Sequence, residues 1–262
     1  MDLKLNGKNA VVCGSTQGIG KAVAIELALL GANIMLVARN ETSLKKVEEE
    51  LDTSQNQQHD YLVADFSDAS SLKEKIERKV NDGFTAEILV NNTGGPKAGQ
   101  AIDATLEDYR IAFNNHLICN QILVQALLPG MKSAGYGRII NIISTSVKTP
   151  IPMLGVSNTI RGAVASWSKT LANELGQFGI TVNNILPGFT QTGRLESLML
   201  SRAEKQNASR EEIKKMMESE IPLRRIGKPE ELGAVAAFLA SPAASYVNGV
   251  NIPVDGGRTP SM

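Results

Sequence analysis

An α/β fold, with a doubly wound parallel β-sheet flanked by helices, is predicted by three observations. Short apolar runs of strand length alternate with Ala- and Leu-containing stretches of helical period. The polar connections between them are short, as they are where helices cross over between parallel strands. The first apolar run ends in the glycine-rich turn Gly14-Ser15-Thr16-Gln17-Gly18-Ile19-Gly20, which opens a helix. No repeat, linker or low-complexity tract divides residues 1–262, so the sequence predicts a single domain.

The elements follow in order. Lys8-Asn9-Ala10-Val11-Val12-Cys13 is the first strand, and the Ala/Leu helix after the glycine turn stops at Gly31. Asn33-Ile34-Met35-Leu36-Val37-Ala38 is the second strand. A helix over 41–52, a strand over 59–64, a helix over 69–81 and a strand over 88–91 come next. A long helix is expected over 105–133, where Phe113, Leu117, Ile118, Ile122, Leu123, Ala126 and Leu127 keep a period near 3.6. Arg138-Ile139-Ile140-Asn141-Ile142-Ile143 is the fifth strand and delivers Ser144. A second long helix over 157–178, a strand over 181–186, a polar helical insert over 194–219, a helix over 229–240 and a strand over 250–254 complete the chain.

Bulk properties narrow the function. Formal net charge is +0, so no global field draws the chain to nucleic acid or an anionic membrane, and neither is an expected partner. No apolar run reaches the length that spans a bilayer. Cys13 and Cys119 stand in apolar surroundings and read as buried reduced thiols of a cytoplasmic protein. His59 and His116 have no cysteine or carboxylate cluster beside them, so no metal site is expected. A small molecule is the expected partner.

A strand, a glycine turn and a helix N-terminus together make an anion site, because first-turn N–H groups and the helix dipole favour a phosphate. The spacing G-x-x-x-G-x-G differs from the commonest dinucleotide fingerprint, G-x-G-x-x-G. After the second strand, where an acidic residue would bond the ribose 2′-OH of NAD, the chain has Ala38 and Arg39. A guanidinium there suits a 2′-phosphate, which favours NADP over NAD, although a solvated Arg at a helix start would look the same. Asp65-Phe66, Asn91-Asn92-Thr93-Gly94, Ser144 and Pro187-Gly188 all lie at carboxyl ends of strands, where ligands of open parallel sheets bind.

Together these segments resemble the short-chain dehydrogenase/reductase family, a Rossmann-type fold, and most of all its 3-oxoacyl-[acyl-carrier-protein] reductase-like members. The resemblance runs the length of the chain through Gly14/Gly18/Gly20, Asn91-Asn92-Thr93-Gly94, Arg138-Ile139-Ile140-Asn141-Ile142, Gly179-Ile180-Thr181-Val182-Asn183, Ile221-Pro222-Leu223-Arg224-Arg225 and Val254-Asp255-Gly256-Gly257. It implies an NADP(H)-dependent oxidoreductase moving a hydride to or from a carbonyl or alcohol. Gly14, Ser15, Gly18, Ile19 and Gly20 would line pyrophosphate and ribose, and Arg39 the 2′-phosphate. Asp65 and Phe66 would border the adenine, Asn91 and Gly94 the middle of the cofactor, and Pro187, Gly188 and Thr192 the nicotinamide. It also implies a homotetramer through the two long helices and the last strand. Cys13 stands where the family usually has Thr, and Thr93 where it has Ala.

The reaction centre departs further. The family's catalytic set is Asn, Ser, Tyr and Lys, and only Ser144 matches. The Asn position falls on His116, the Tyr position on Ser157 and the Lys position on Arg161. An aliphatic hydroxyl is far too weak an acid to replace a phenol, whereas Arg161 stays charged and suits ribose hydroxyls. Three substitutes are open: His116 as proton donor, a water relay through Ser144, Ser157 and Arg161, or Tyr109, Tyr136 or Tyr246 from elsewhere. A catalytically silent NADP(H)-binding or sensing module is the alternative function. The insert over 194–219 is the expected substrate lid, with Met199, Leu200, Met216 and Met217 as candidate cleft residues and its interleaved charges as a solvated face.

Overall fold

The computed structural model describes residues 1–261. Seven strands form one parallel sheet in the order β3-β2-β1-β4-β5-β6-β7. They are β1 (Asn9–Cys13), β2 (Asn33–Ala38), β3 (Asp60–Val63), β4 (Ile88–Asn91), β5 (Gly137–Ile142), β6 (Ile180–Pro187) and β7 (Asn251–Val254). The order reverses between β1 and β4, and a ligand crevice opens at such a switch point outside the carboxyl ends of the strands. Between the strands run α1 (Gly18–Leu29), α2 (Glu41–Glu50), α3 (Ala69–Asn81), α4 (Leu106–Phe113), α5 (Cys119–Ala134), α6 (Gly155–Leu175), α7 (Gly193–Gln206), α8 (Arg210–Ser219) and α9 (Pro229–Ala240).

Burial on both faces explains why the central strands read as continuous apolar runs. On one face Val12, Leu36, Val90, Ile140 and Ile185 pack with Val23 and Leu27 of α1 and Leu232 and Ala236 of α9. On the other, Val11, Met35, Leu89, Ile139 and Val182 pack with Leu72 and Ile76 of α3, Leu123 and Leu127 of α5, and Leu171 of α6. Each fully buried side chain of this size contributes roughly 1.5–3 kcal/mol.

A polar seam crosses this second face. Asn91, Asn141, Asn184 and Asn251 are register partners on β4 to β7. Their amides bond head to tail: Asn91 Nδ2 donates to Asn141 Oδ1 at 2.8 Å, Asn141 Nδ2 to Asn184 Oδ1 at 3.0 Å, and Asn184 Nδ2 to Asn251 Oδ1 at 2.8 Å. Asn141 Nδ2 also reaches Ser168 Oγ on α6 at 3.3 Å.

One expected helix is broken in two, and the expected helical insert consists of two helices. The stretch over 105–133 opens into a π-turn at Asn114–Ile118 between α4 and α5. There Asn114 Nδ2 and Cys119 Sγ both donate to the carbonyl of Phe66, so the wider turn is held by the loop after β3. The insert over 194–219 is α7 and α8, separated where Asn207 adopts φ 48° and ends α7. Ser209 and Glu212 then form the capping box that starts α8.

Candidate active site

The glycine turn is shaped by close approach. Gly14 has φ +58°, and a Cβ there would stand 2.6 Å from the carbonyl oxygen of Asn92; a Cβ on Gly20 would stand 2.2 Å from that of Gly14. Only glycine fits both positions. Asn92 clamps the turn, its Nδ2 reaching the carbonyls of Cys13 (3.2 Å) and Gly14 (3.3 Å). Side chains of Asn40, Asp68, Thr105, Thr192 and Ser209 cap α2, α3, α4, α7 and α8, whereas α1 after Gln17, like α6 after Leu154, begins with no side-chain cap. Its first N–H groups stay open to a ligand.

Two buried polar atoms nearby lack protein partners, Ser15 Oγ in the turn and Asn91 Oδ1 at the end of β4. Buried polar groups are nearly always bonded, so these fit a polar ligand such as a dinucleotide. Gly94, with open space where a Cβ would point, adds room beyond Asn91. After β2, Arg39 is 77% exposed and only loosely paired, its Nη1 lying 4.0 Å from Asp65. The Asp65 carboxyl is held below the usual carboxylate range, first by the Ser67 backbone N–H. Phe66 is half-buried against the core. At the end of β6, Gly188 N donates to Val254 O at 3.1 Å, which seats Pro187 and Gly188 against β7. Thr192 approaches the glycine turn, with Cγ2 3.1 Å from where a Cβ on Gly18 would lie. The residues expected to hold the cofactor thus lie at or after the carboxyl ends of β1, β2, β3, β4 and β6, along one edge of the sheet, with Ile19 in the first turn of α1.

The reaction centre lies deeper. Ser144, after β5, accepts from Ser146 N at 3.1 Å, which leaves its hydroxyl hydrogen free to donate. Hydrogen bonds between Gly99 and both Met153 and Gly155 seat the start of α6. One turn in, Ser157 is buried, and one turn further Arg161 is 8% exposed. Arg161 Nη1 donates to the carbonyl of Ile142 at 3.0 Å, and burial alone pulls the guanidinium down to about 10. A buried guanidinium with no carboxylate acting on it is costly and calls for acceptors from outside the chain.

His116 sits in the π-turn, 2% exposed, with Nδ1 2.5 Å from Thr93 Oγ1. Burial first, and the Arg161 charge second, push it down from 6.5 to about 2, so near neutral pH it is an uncharged imidazole. Its partner is a hydroxyl rather than a backbone carbonyl. Two of the three tyrosines fall away: Tyr136 Oη donates to Ala240 O at 2.6 Å on the opposite edge of the sheet, and Tyr246 is fully exposed. Tyr109 packs beside Val156 and Ile160 of α6.

The lid expectation needs a correction. Met199 and Met217 do not face the cleft; they are buried with Leu195 and Ile213 in the core shared by α7 and α8, while Leu200 and Met216 are exposed. Arg210 pairs with Glu196 across these helices, which leaves that charge to the lid itself. Arg194 Nη2 crosses the crevice to the carbonyl of Pro96 at 2.8 Å. The sequence marks Thr93 only as a departure from the family's Ala and Asn92 only as part of Asn91-Asn92-Thr93-Gly94; their partners, His116 and the glycine turn, come from the fold. Among the described residues no cluster of three metal-ligating side chains occurs, and no helix is long and apolar enough to cross a membrane.

Residues 14–259 match the family described as Enoyl-(Acyl carrier protein) reductase. The chain is 30% identical over 262 residues to an NADPH-dependent reductase of Bacillus subtilis (strain 168), covering 98% of this chain and 100% of the other. It is 33% identical over 257 residues to a 3-oxoacyl-[acyl-carrier-protein] reductase of Pseudomonas aeruginosa, covering 97% and 98%. In structure it is similar to the L-sorbose reductase of Gluconobacter frateurii complexed with NADPH and L-sorbose, with TM-score 0.93, 29% identity and 100% of each chain covered.

Proposed function

The chain belongs to the short-chain dehydrogenase/reductase family, and on that footing we propose that it is an NADP(H)-dependent oxidoreductase acting on a small carbonyl or alcohol compound with altered acid–base residues. Bound there, the reduced nucleotide NADPH would be the hydride donor to a carbonyl, and the oxidised form NADP the acceptor from an alcohol. Gly14, Ser15, Gly18, Ile19 and Gly20 hold its pyrophosphate side, Arg39 its 2′-phosphate, Asp65 and Phe66 its adenine, Asn91 and Gly94 its middle, and Pro187, Gly188 and Thr192 its nicotinamide side. The observation that carries this reading is the open N-terminus of α1 beside two orphaned buried polar atoms, Ser15 Oγ and Asn91 Oδ1. Similarity to proteins named as NADPH-dependent or complexed with NADPH supports the choice of nucleotide.

At the reaction centre the free hydroxyl hydrogen of Ser144 donates to the substrate oxygen, and Arg161 supplies charge to the ribose hydroxyls or to a developing oxyanion. Ser157 fills the acid's place without being an acid, so the proton that completes the alcohol comes from water, relayed past Ser144 and Ser157. Removing general acid catalysis costs ~10²–10⁴-fold in rate, so such a site turns over slowly. Steady NADPH oxidation with a panel of small ketones and aldehydes, lost in Ser144→Ala, is the expected result. A gain of orders of magnitude in Ser157→Tyr with Arg161→Lys identifies those two positions as the limiting ones.

A second reading, a silent NADP(H)-binding or sensing module, is favoured by one observation: burial leaves His116 uncharged and Arg161 charged at neutral pH, so neither is poised to give up a proton there. Tight NADPH binding by calorimetry with no turnover on the panel selects it. Failure to bind either nucleotide overturns both readings. We also propose a cytoplasmic homotetramer assembled through α4–α5, α6 and β7. Exposed Ile111, Phe113 and Ile118 on the first of these surfaces support it, as do two free buried cysteines, and light scattering tests the assembly.

A further inference from the structure

His116 is one ring with two nitrogens, and its surroundings distinguish them. The π-turn that carries it is pinned on both sides, by Asn114 Nδ2 at 3.3 Å and Cys119 Sγ at 3.2 Å from the carbonyl of Phe66. π-turns inside α-helices recur at functional sites. The ring meets Thr93 through Nδ1, at 2.5 Å from the hydroxyl oxygen. That hydroxyl has one hydrogen, and Nδ1 is its only hydrogen-bond partner among the described residues. The pair closes in one of two ways, the hydroxyl donating to Nδ1 with the ring proton on Nε2, or the hydroxyl accepting from Nδ1–H. No described protein group bonds to Nε2. Arg161, whose charge acts on the ring, is bonded to Ile142, two residues before Ser144.

We propose that Thr93 is a positioning residue that locks His116 as the Nε2–H tautomer, making the imidazole a hydrogen-bond donor to the oxygen that takes up charge on hydride transfer. The proposal rests on the oxidoreductase reading above. An uncharged imidazole suits this place because a second cation beside Arg161 would raise the cost of burial without adding a usable proton. Together with the hydroxyl of Ser144, it gives the developing charge two neutral donors and one cation, the kind of preorganised set that stabilises an oxyanion.

The chain has only two histidines, which makes the test direct. His59 accepts from Ile34 N at Nδ1 (3.1 Å) and has Nε2 2.9 Å from the carbonyl of Asp52, so it is an internal reference for the Nε2–H tautomer. Long-range proton–nitrogen NMR of the full chain, assigned with His116→Asn, is expected to show the Nε2–H pattern for His116 between pH 8 and 5. Thr93→Ser keeps that pattern and Thr93→Val loses it. A wild-type His116 that is Nδ1–H or imidazolium at pH 7 overturns the proposal, as does a Thr93→Val spectrum unchanged from wild type. Where Thr93→Val does not fold, the wild-type spectrum decides the lock alone. With a carbonyl that is turned over, Thr93→Val lowers kcat about tenfold at unchanged NADPH affinity, and Thr93→Ser restores it. An unchanged kcat overturns the donor role. Absence of turnover with every carbonyl overturns the oxidoreductase reading and the donor role with it, and the spectrum then reports separately on the lock.

Discussion

The glycine turn and the reaction centre lie along the same edge of one sheet and are built by opposite means. At the turn the work is done by backbone: Gly14 and Gly20 approach so closely that no Cβ fits, α1 starts without a cap, and the one charged side chain, Arg39, extends into solvent. At the reaction centre the work is done by buried side chains, a guanidinium held by a single carbonyl and an imidazole held by a single hydroxyl. Backbone geometry admits one residue type at each position, whereas a buried polar cluster can be rebuilt from different side chains as long as its members satisfy one another. Thr93 and His116 satisfy one another in this way.

This contrast can be broken or sharpened by measurement. The largest effect is expected in the reaction centre, where Ser144→Ala should lower kcat by ~10²–10³-fold, as for loss of an oxyanion donor, with the NADPH dissociation constant unchanged. A matching loss of cofactor affinity would show that the two regions are not separable. Arg39→Ala should do the converse, weakening NADPH by roughly ten- to a hundredfold through loss of a charge-assisted contact while leaving NADH binding as it was. Equal weakening of both nucleotides, measured by fluorescence titration, would place Arg39 away from the 2′-phosphate. Beneath both regions, Asn141→Leu removes an acceptor from Asn91 and a donor from Asn184 and should cost ~1–3 kcal/mol for each partner left unbonded. Chemical denaturation with an unchanged m-value checks it.

Per pH unit, the smallest effect is the slope of stability with pH. His116 binds a proton near 6.5 in the unfolded chain and near 2 in the fold, so below 6.5 the unfolded state holds the extra proton. Stability is therefore complete above pH 6.5 and falls as pH drops toward 2, by roughly 1.4 kcal/mol per pH unit from this group alone. His116→Asn should flatten that limb of the stability curve. An identical slope in the variant removes His116 as its source.

Much of this was legible in the sequence. Strands β1, β2, β4, β5 and β6 announce themselves as apolar runs because both of their faces are buried, and the cofactor crevice follows because glycines and strand ends carry it. The π-turn was not legible: Phe113, Leu117, Ile118 and Ile122 keep helical spacing, and the extra residue is absorbed by hydrogen bonds to Phe66, 48 and 53 residues away from Asn114 and Cys119. Met199 and Met217 were misjudged because helical spacing says which side chains share a face, not what that face meets; α7 and α8 cover one another. Thr93 was passed over as a small change from Ala because its partner lies 23 residues on.

The asparagine seam across β4 to β7 carries a consequence for how the sheet finds its alignment. A strand displaced by one residue turns its side chains to the opposite face. For β5 that would take Asn141 out of reach of Asn91 and Asn184 at once and lay its amide among Val12, Val90 and Ile185. Apolar residues alone penalise such a slip weakly here, since Ile139, Ile140 and Ile142 suit either buried face. The seam thus works as a vernier: it sets the depth of Ser144 at the end of β5 and of Pro187 and Gly188 at the end of β6 to one residue, and a misaligned sheet is left with several unpaired amides in its interior.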